Sequence, residues 1–451
     1  MPEAFFPTRR SSTSSAWTSR RIVHLALVIP AFLLYSITWQ ETAGLAVVIL
    51  LFSFLMLPDV SADLAGADLA AESSRATVFL YPVAILVLAL VFRRHLAVVA
   101  AAWALLALGD VMAGAAGESR GRHVLPFNHA KTWEGFAAFV AFGWPAAFLL
   151  LLWVSNTRAN SKALLVCLAA AIVGALVESL PIRLNDNITV PLVCGGFVFC
   201  ASLTERAALD RNMQYLGVRL ALALIINLGF ALAAWRLRQI TASGAMVGFL
   251  LGAAVYMGFG YRSFLVLVCF FALGSGATRL GYARKRERGI AERRGGARGW
   301  REATANVLVA AFFAVLVITT PFQWAFLAGF VAALAEAAGD TVASETGKWL
   351  SARAYMITTL RPVAAGADGG ISLKGTAAGF GASAVVVLLG YGLGLCSGRN
   401  AALAFAAACI GNLLDSLIGA TLERRGLVTN SIVNFIGTAL AGGLAVALAM
   451  R

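Results

Sequence analysis

A polytopic bundle of transmembrane helices is what this sequence predicts, and three observations predict it. The chain is overwhelmingly apolar, its apolar residues fall into runs of membrane-span length, and its positive charge gathers between particular runs. Of 451 residues, 60% are hydrophobic and 13% charged, and the mean hydropathy is +0.82. A soluble domain carries roughly 25% charged residues, so the bilayer must supply much of this chain's solvent.

A hydrocarbon core about 30 Å thick needs roughly 20 apolar residues per helix, and about fifteen such runs can be marked. In the first half they are 22–39, 43–57, 77–92, 96–109, 136–154, 162–180 and 188–203. In the second they are 217–235, 244–260, 263–278, 303–320, 323–339, 375–395, 401–420 and 431–450. The Ala and Gly within them suit close helix packing in lipid. Trp39, Trp153, Trp235 and Trp324 lie near run ends, where interfacial anchors sit. Of six cysteines, five fall inside the runs and Cys396 directly follows one, with no CxxC spacing, which predicts small packing residues and not disulfides or zinc.

The net charge of +14 is read from its location. Lys and Arg mark the cytoplasmic side, and alternating fifteen spans from an inside N-terminus puts most of them there. Loop 279–301 alone carries nine, Arg284, Lys285 and Arg286 among them. It reads equally as a topology anchor on anionic lipid and as a contact for substrate phosphate. Nucleic acid is not an expected partner, and no oligomeric state is implied. The expected location is a bacterial cell membrane, with the N-terminus and the polar motif loops cytoplasmic. Residues 1–21 read as a basic leader, and Arg20 and Arg21 flank a first helix that runs on as a span. His24 reads as satisfying a helix start, and Asp59, Asp63, Asp68 and Glu72 as an acidic connector.

The short polar stretch 204–216 separates the two halves, so the expected organisation is one membrane domain over 1–203, a linker over 204–216 and a second domain over 217–451. A self-similarity supports the division. Gly109-Asp110-Val-Met-Ala113-Gly-Ala-Ala-Gly117 matches Gly339-Asp340-Thr-Val-Ala343-Ser-Glu-Thr-Gly347, both reading GDxxAxxxG. Each copy is expected to close a helix and open a polar loop ending in a lysine and a glycine, Lys131 and Gly135 in one, Lys374 and Gly375 in the other.

Ionisable groups near membrane segments are expensive, so they are functional or paired. The acids at predicted helix ends are Asp110, Glu134, Glu178 and Asp186 in the first half, and Glu336, Asp340, Glu345 and Asp415 in the second. Glu336 and Asp340 are four apart, which stacks both carboxylates on one helix face. Magnesium takes one or two carboxylates plus substrate phosphates, and phosphoryl transfer needs a metal, cations, backbone amides and a group that orients the attacking hydroxyl. Loop 117–135 offers such parts. Gly117 and Gly121 let amides approach phosphate, Arg122 and Lys131 bring charge, and Asn128 and Thr132 bring hydrogen bonds.

At this loop the sequence resembles the CTP-dependent polyprenol kinases, the dolichol and phytol kinase group. The resemblance rests on Gly109-Asp110, Ala113, Gly117, Gly121-Arg122, Pro126 and Lys131-Thr132-Trp133-Glu134-Gly135, followed by Glu178-Ser179-Leu180-Pro181 and Asn185-Asp186-Asn187. Where the phytol kinase pattern usually has paired acids, this chain has Asn185-Asp186. The second half is similar to the phytyl-phosphate kinase family. Its matching pieces include Gly274-Ser275, Gly295-Gly296-Ala297-Arg298, Asn306 and Glu336 to Gly347. They continue through Thr358-Thr359, Gly369-Gly370, Ser372, Lys374-Gly375, Asp415, Asn430 and Asn434.

These resemblances imply Mg2+ held by Asp110, Asp186, Glu336, Asp340 and Asp415, and CTP or another nucleoside triphosphate as donor. They imply reacting groups among Asp110, Lys131, Glu134, Glu178, Asp186 and Asn187 in the first half, and Asp340, Glu345, Lys374, Asp415, Asn430 and Asn434 in the second. Nucleotide contacts are implied for Gly117, Gly121, Arg122, Asn128, Thr132, Arg298, Thr358, Thr359, Gly369, Gly370 and Ser372, with 345–374 as the second nucleotide loop. The implied substrates are a prenyl alcohol such as phytol and then its monophosphate. A transporter or flippase fits repeated halves but would place charges at mid-membrane, and a CDP-lipid-forming cytidylyltransferase would use the same metal and nucleotide.

Overall fold

The computed structural model describes residues 25–64, 72–181, 184–351 and 353–451. The leader, His24 and Asp68 lie outside these. The chain is an integral membrane helical protein: among the described residues, eleven helices are long and apolar enough to cross a bilayer, and three apolar helices are shorter. It forms two compact units, Met1–Ser202 and Leu203–Arg451.

In the first unit, a short helix α1 (Ile29–Leu33) precedes α2 (Trp39–Leu64), α3 (Glu72–Val91), α4 (Leu96–Arg120), α5 (Trp133–Ser155), α6 (Ser161–Ser179) and α7 (Asp186–Ser202). The predicted span over 22–39 is therefore not one helix. The Thr38 amide donates to Glu41 Oε2 at 2.7 Å and the Glu41 amide donates back to Thr38 Oγ1 at 3.3 Å. This reciprocal cap starts a new helix and ends the run. The core surrounds α4, where Trp103 is buried and its Nε1 donates to Tyr81 Oη at 2.7 Å. Phe139 of α5 fills the space left by two glycines: a methyl group at Gly109 or Gly174 would come within 2.9 or 2.8 Å of its ring. A bulkier residue at either position would push the helices apart.

The second unit contains α8 (Arg206–Arg236), α9 (Ala242–Phe259), α10 (Tyr261–Arg279), the short α11 (Tyr282–Glu287), α12 (Trp300–Thr319), α13 (Gln323–Leu350), α14 (Leu373–Gly392), α15 (Gly398–Glu423) and α16 (Asn430–Ala449). Helix α13 is the hub, buried without interruption from Ala325 to Gly339 and packed by α12, α14, α15 and α16. The polar stretch 204–216 is largely helix, because α8 begins at Arg206.

Both GDxxAxxxG motifs sit inside helices instead of closing them. Helix α4 runs through a π-helical stretch at Leu105–Asp110 and on to Arg120, and α13 runs on to Leu350. Alanines after each aspartate keep the helix going, since Ala has the best helix propensity. Glu345 and Gly347 are therefore helical, and the polar excursion of the second unit begins near Ser351.

Each motif helix pairs with the following helix in the same register. A methyl group at Gly135 would come 3.0 Å from Ala113 O, and one at Gly375 would come 2.6 Å from Ala343 O. One at Gly117 would lie 3.3 Å from Thr132 Oγ1, and one at Gly347 3.2 Å from Ser372 Oγ. Thr132 and Ser372 each accept from the amide three residues on, both at 3.2 Å, as N-caps of α5 and α14. Between the paired helices lie small sheets. In the first unit β1 (Val124–Leu125) pairs antiparallel with β2 (Asn128–Thr132). In the second, β3 (Arg353–Met356) is flanked by β4 (Pro362–Ala364) and β5 (Gly370–Ile371).

Candidate active sites

In the first unit three acids from three helices converge. Asp110 ends the π-helical stretch of α4, Glu178 lies in the last turn of α6, and Asp186 opens α7. One carboxylate oxygen from each lies within 4.8 Å of the others. β2 delivers Lys131 onto them: its Nζ ion-pairs with Glu178 and donates to Asp186 Oδ2 at 3.2 Å. Burial alone would lower the pKa of this ammonium, but Asp186, Glu178 and, less strongly, Asp110 outweigh it and hold it above the ordinary lysine value. The hairpin is tied down by Asn128, whose Nδ2 donates to Ser179 O at 3.0 Å. Asn187 is buried beside the cluster's α7 member.

Other predicted residues of this loop have structural work. Glu134 turns away from the triad and accepts from the Arg122 and His123 amides at 3.1 and 3.2 Å. The Gly121 amide is bonded to Gly117 O at 3.1 Å, so it is not free to cradle phosphate. Thr132 is an N-cap, and Arg122 is exposed.

In the second unit, Glu336 and Asp340 of α13 meet Asp415 of α15 and Asn434 of α16. Glu336 is buried at 1% exposure, in room provided by glycines: a methyl group at Gly411 would come 2.9 Å from its Cγ. One at Gly437 would strike its carboxylate and lie 3.2 Å from Asp415 Oδ2. Asn434 Nδ2 donates to Asn306 Oδ1 at 3.2 Å and reaches Asp340 Oδ2 at 3.5 Å. Both Glu336 oxygens, Asp415 Oδ2, Asn412 Nδ2 and Asn434 Oδ1 are buried with no hydrogen-bond partner among the described residues. Buried carboxylates this close are unfavourable unless protonated or neutralised by a cation. The orphaned oxygens therefore fit a hard divalent ion, as the three clustered carboxylates of the first unit do.

Lys374 does not repeat the placement of Lys131. Lys131 precedes its helix cap and points inward, whereas Lys374 follows its cap Ser372 by two positions and is exposed. Glu345 is likewise not a free base, because Lys285 Nζ lies 2.5 Å and Lys348 Nζ 3.1 Å from its carboxylate. Lys285 is fully buried and also donates to Ala277 O and Thr278 O at 3.1 and 2.8 Å. It is thus a structural pin, not a lipid-facing charge of loop 279–301. Lys348 also meets Glu292 at 2.8 Å. Burial would raise the Glu292 pKa, but Lys348 and Arg298 hold it below the ordinary carboxylate value.

Thr358, Thr359 and Asn430 are exposed. Gly369 has φ +72°, and a side chain there would strike Ala420, so this glycine lets the sheet lie on the π-helical turn Gly419–Glu423 of α15. The sequence reading missed Asn412 and Lys348 and gave Lys285 a different role. For Asn412 the signal was present, since a polar residue within an otherwise apolar helix is expensive unless it is used.

Residues 225–442 match the family model described as "Integral membrane protein DUF92". An uncharacterized membrane protein of Synechocystis is 38% identical over 214 residues, 47% of this chain and 83% of that protein. Protein VTE6, chloroplastic, of Arabidopsis thaliana is 34% identical over 214 residues, 46% of this chain and 64% of that protein. A protein of Triticum aestivum named "Probable phytol kinase, chloroplastic" is 34% identical over 122 residues, 25% of this chain and 39% of that protein. No solved structure matches. With its second unit carrying the match, the chain belongs to the DUF92 family of integral membrane proteins.

Proposed function

We propose that this protein is a membrane-embedded phosphotransferase acting on prenyl lipids. Its first unit phosphorylates a prenyl alcohol such as phytol, and its second adds a phosphate to the resulting monophosphate. The observation that carries the reading is the Asp110–Glu178–Asp186 cluster braced by Lys131, together with likeness to a protein named as a phytol kinase.

Asp110 and Asp186 in the first unit, and Glu336, Asp340 and Asp415 in the second, would hold Mg2+. Mg2+ held there would supply positive charge to offset that of the donor phosphates. Glu178, paired to Lys131, is the group placed to accept the proton of the attacking hydroxyl. Lys131 then keeps its charge beside the transferred phosphate, because its three carboxylate neighbours favour the ammonium form. In the second unit Asn434, fixed by Asn306, orients Asp340. The donor is CTP or another nucleoside triphosphate, which places both sites on the nucleotide-containing side of the cell membrane. Carrying both steps on one chain raises the effective concentration of the monophosphate at the second site.

Purified protein given labelled CTP, Mg2+ and phytol should yield phytyl phosphate and then the diphosphate. Absence of transfer to every long-chain prenyl alcohol and monophosphate, with any nucleoside triphosphate, would refute the reading.

A further inference from the structure

The second unit contains an apolar cavity of about 70 Å³ between α8, α9, α10 and α12, lined by Phe230, Leu251, Leu267, Phe270, Phe271 and Val307. Four polar side chains also reach it, Asn227, Arg298, Glu302 and Asn306. Asn227 is occupied, its Nδ2 donating to Ala223 O at 2.8 Å. Glu302 is occupied as a helix cap, accepting from the Gly299 amide at 2.9 Å. Asn306 is the residue that Asn434 bonds beside Asp340, so the cavity and the carboxylate site share a wall.

Arg298 is held where the two meet. Its amide donates to Gln239 O at 3.0 Å and its carbonyl accepts from the Thr241 amide at 2.9 Å, which fixes its backbone against the start of α9. Its guanidinium lies over the Phe270 ring, 5.9 Å from the centroid, an attractive cation–π arrangement. Gly274 clears the space for it: a methyl group there would come 2.7 Å from Nη2. An arginine is a planar fork suited to phosphate, and an apolar pocket with a few convergent polar groups is the usual form of a small-molecule site.

We infer that this cavity is the acceptor site of the second unit, binding an amphiphilic phosphomonoester with Arg298 on its phosphate and the phosphate-proximal end of its chain among Phe230, Leu251 and Phe271. The inference rests on the proposed function and deepens it. Arg298 then belongs to the lipid acceptor and not to the nucleotide. At this size the cavity holds the head-proximal segment, and the rest of the chain passes into the bilayer. Discrimination against the alcohol comes from Arg298, because a charge-assisted contact is about twice as strong as a neutral one.

The test is binding without nucleotide, so it does not depend on catalysis. A farnesyl monophosphate analogue with a diazirine in its chain is photolysed with the intact protein in lipid nanodiscs. Label should appear on peptides carrying Phe230, Leu251 or Phe271, and excess geranylgeranyl monophosphate should suppress it at least tenfold better than the alcohol or inorganic phosphate. Arg298→Gln should lower the labelling about tenfold. Gly274→Ala, which displaces the guanidinium while keeping it, should lower it in the same direction. Gly248→Leu should lower it by filling the cavity, since Gly248 lines it and a methyl group there meets nothing within 4 Å. Label confined to other segments, equal competition by inorganic phosphate, or labelling unchanged in both Arg298→Gln and Gly274→Ala would overturn the inference. Labelling as expected in a protein that transfers no phosphate would refute the kinase reading and leave the site standing.

Discussion

The two units place their motif aspartates on the same kind of helix pair and neutralise them differently. In the first unit a lysine from the hairpin, Lys131, enters the carboxylate cluster directly. In the second, the residue two places past the equivalent cap is Lys374, which stays exposed. Its carboxylates Glu336 and Asp415 keep buried oxygens without partners, while Lys285 from another segment and Lys348 of α13 itself pair with Glu345 further along that helix. The glycine contacts that set helix spacing are shared and the cation is not. The scaffold follows a common plan, and each unit has its own electrostatics.

The sharpest way to break this comparison is to remove each motif aspartate in turn. Asp110→Ala should abolish phosphorylation of the alcohol and spare that of the monophosphate, and Asp340→Ala should do the reverse. The expected loss is roughly a thousandfold, since a ligand to a catalytic ion supports several kcal/mol of transition-state stabilisation. Product analysis with each substrate supplied separately decides it, and loss of both steps from either substitution would mean a single shared site.

Next in size is the buried pair of the second unit. Lys285→Met leaves the Glu345 carboxylate with one cation in place of two, in a site where the lysine is 0% and Glu345 3% exposed at the side chain. Breaking such a pair costs about 3–5 kcal/mol, and Lys285→Met/Glu345→Leu should recover part of it. Thermal unfolding in detergent measures both. A Lys285→Met protein as stable as the parent would show that this charge is not structural.

The lysine contrast predicts a smaller effect. Lys131→Met removes the internal cation from the triad, so Mn2+ should bind the first unit about tenfold more tightly by electron paramagnetic resonance, the size of one Coulombic contact at a partly exposed site. Lys374→Met should leave Mn2+ binding unchanged. Equal effects from both would restore the lysine symmetry expected from the sequence repeat. Smallest, and equal in the two units, is the loss of a cap. Thr132→Ala and Ser372→Ala should each cost about 1 kcal/mol, and an effect in only one would break the shared register.

Much of this was legible in the chain. Apolar runs of span length located the helices, and the acids singled out within or beside them include those that cluster in each unit, because a membrane rarely tolerates an ionisable group without a use for it. The GDxxAxxxG repeat located the paired helices, since Gly109, Gly117, Gly339 and Gly347 recur where another element comes close. The end of the first run was written in Thr38 and Glu41, a capping pattern that hydropathy averages away.

The sequence by itself determined that this is a membrane helical bundle and which carboxylates lie within or beside its helices. Tertiary structure alone decided which of them meet. Asp110 lies tens of residues before Glu178 and Asp186, and only the packing of α4, α6 and α7 brings their oxygens within 4.8 Å. It also decided where each lysine's charge falls, because the lysine one position before a helix cap turns inward at Lys131 and the one two positions past a cap turns outward at Lys374. Hydropathy records how apolar a segment is, whereas charge compensation depends on distance through space.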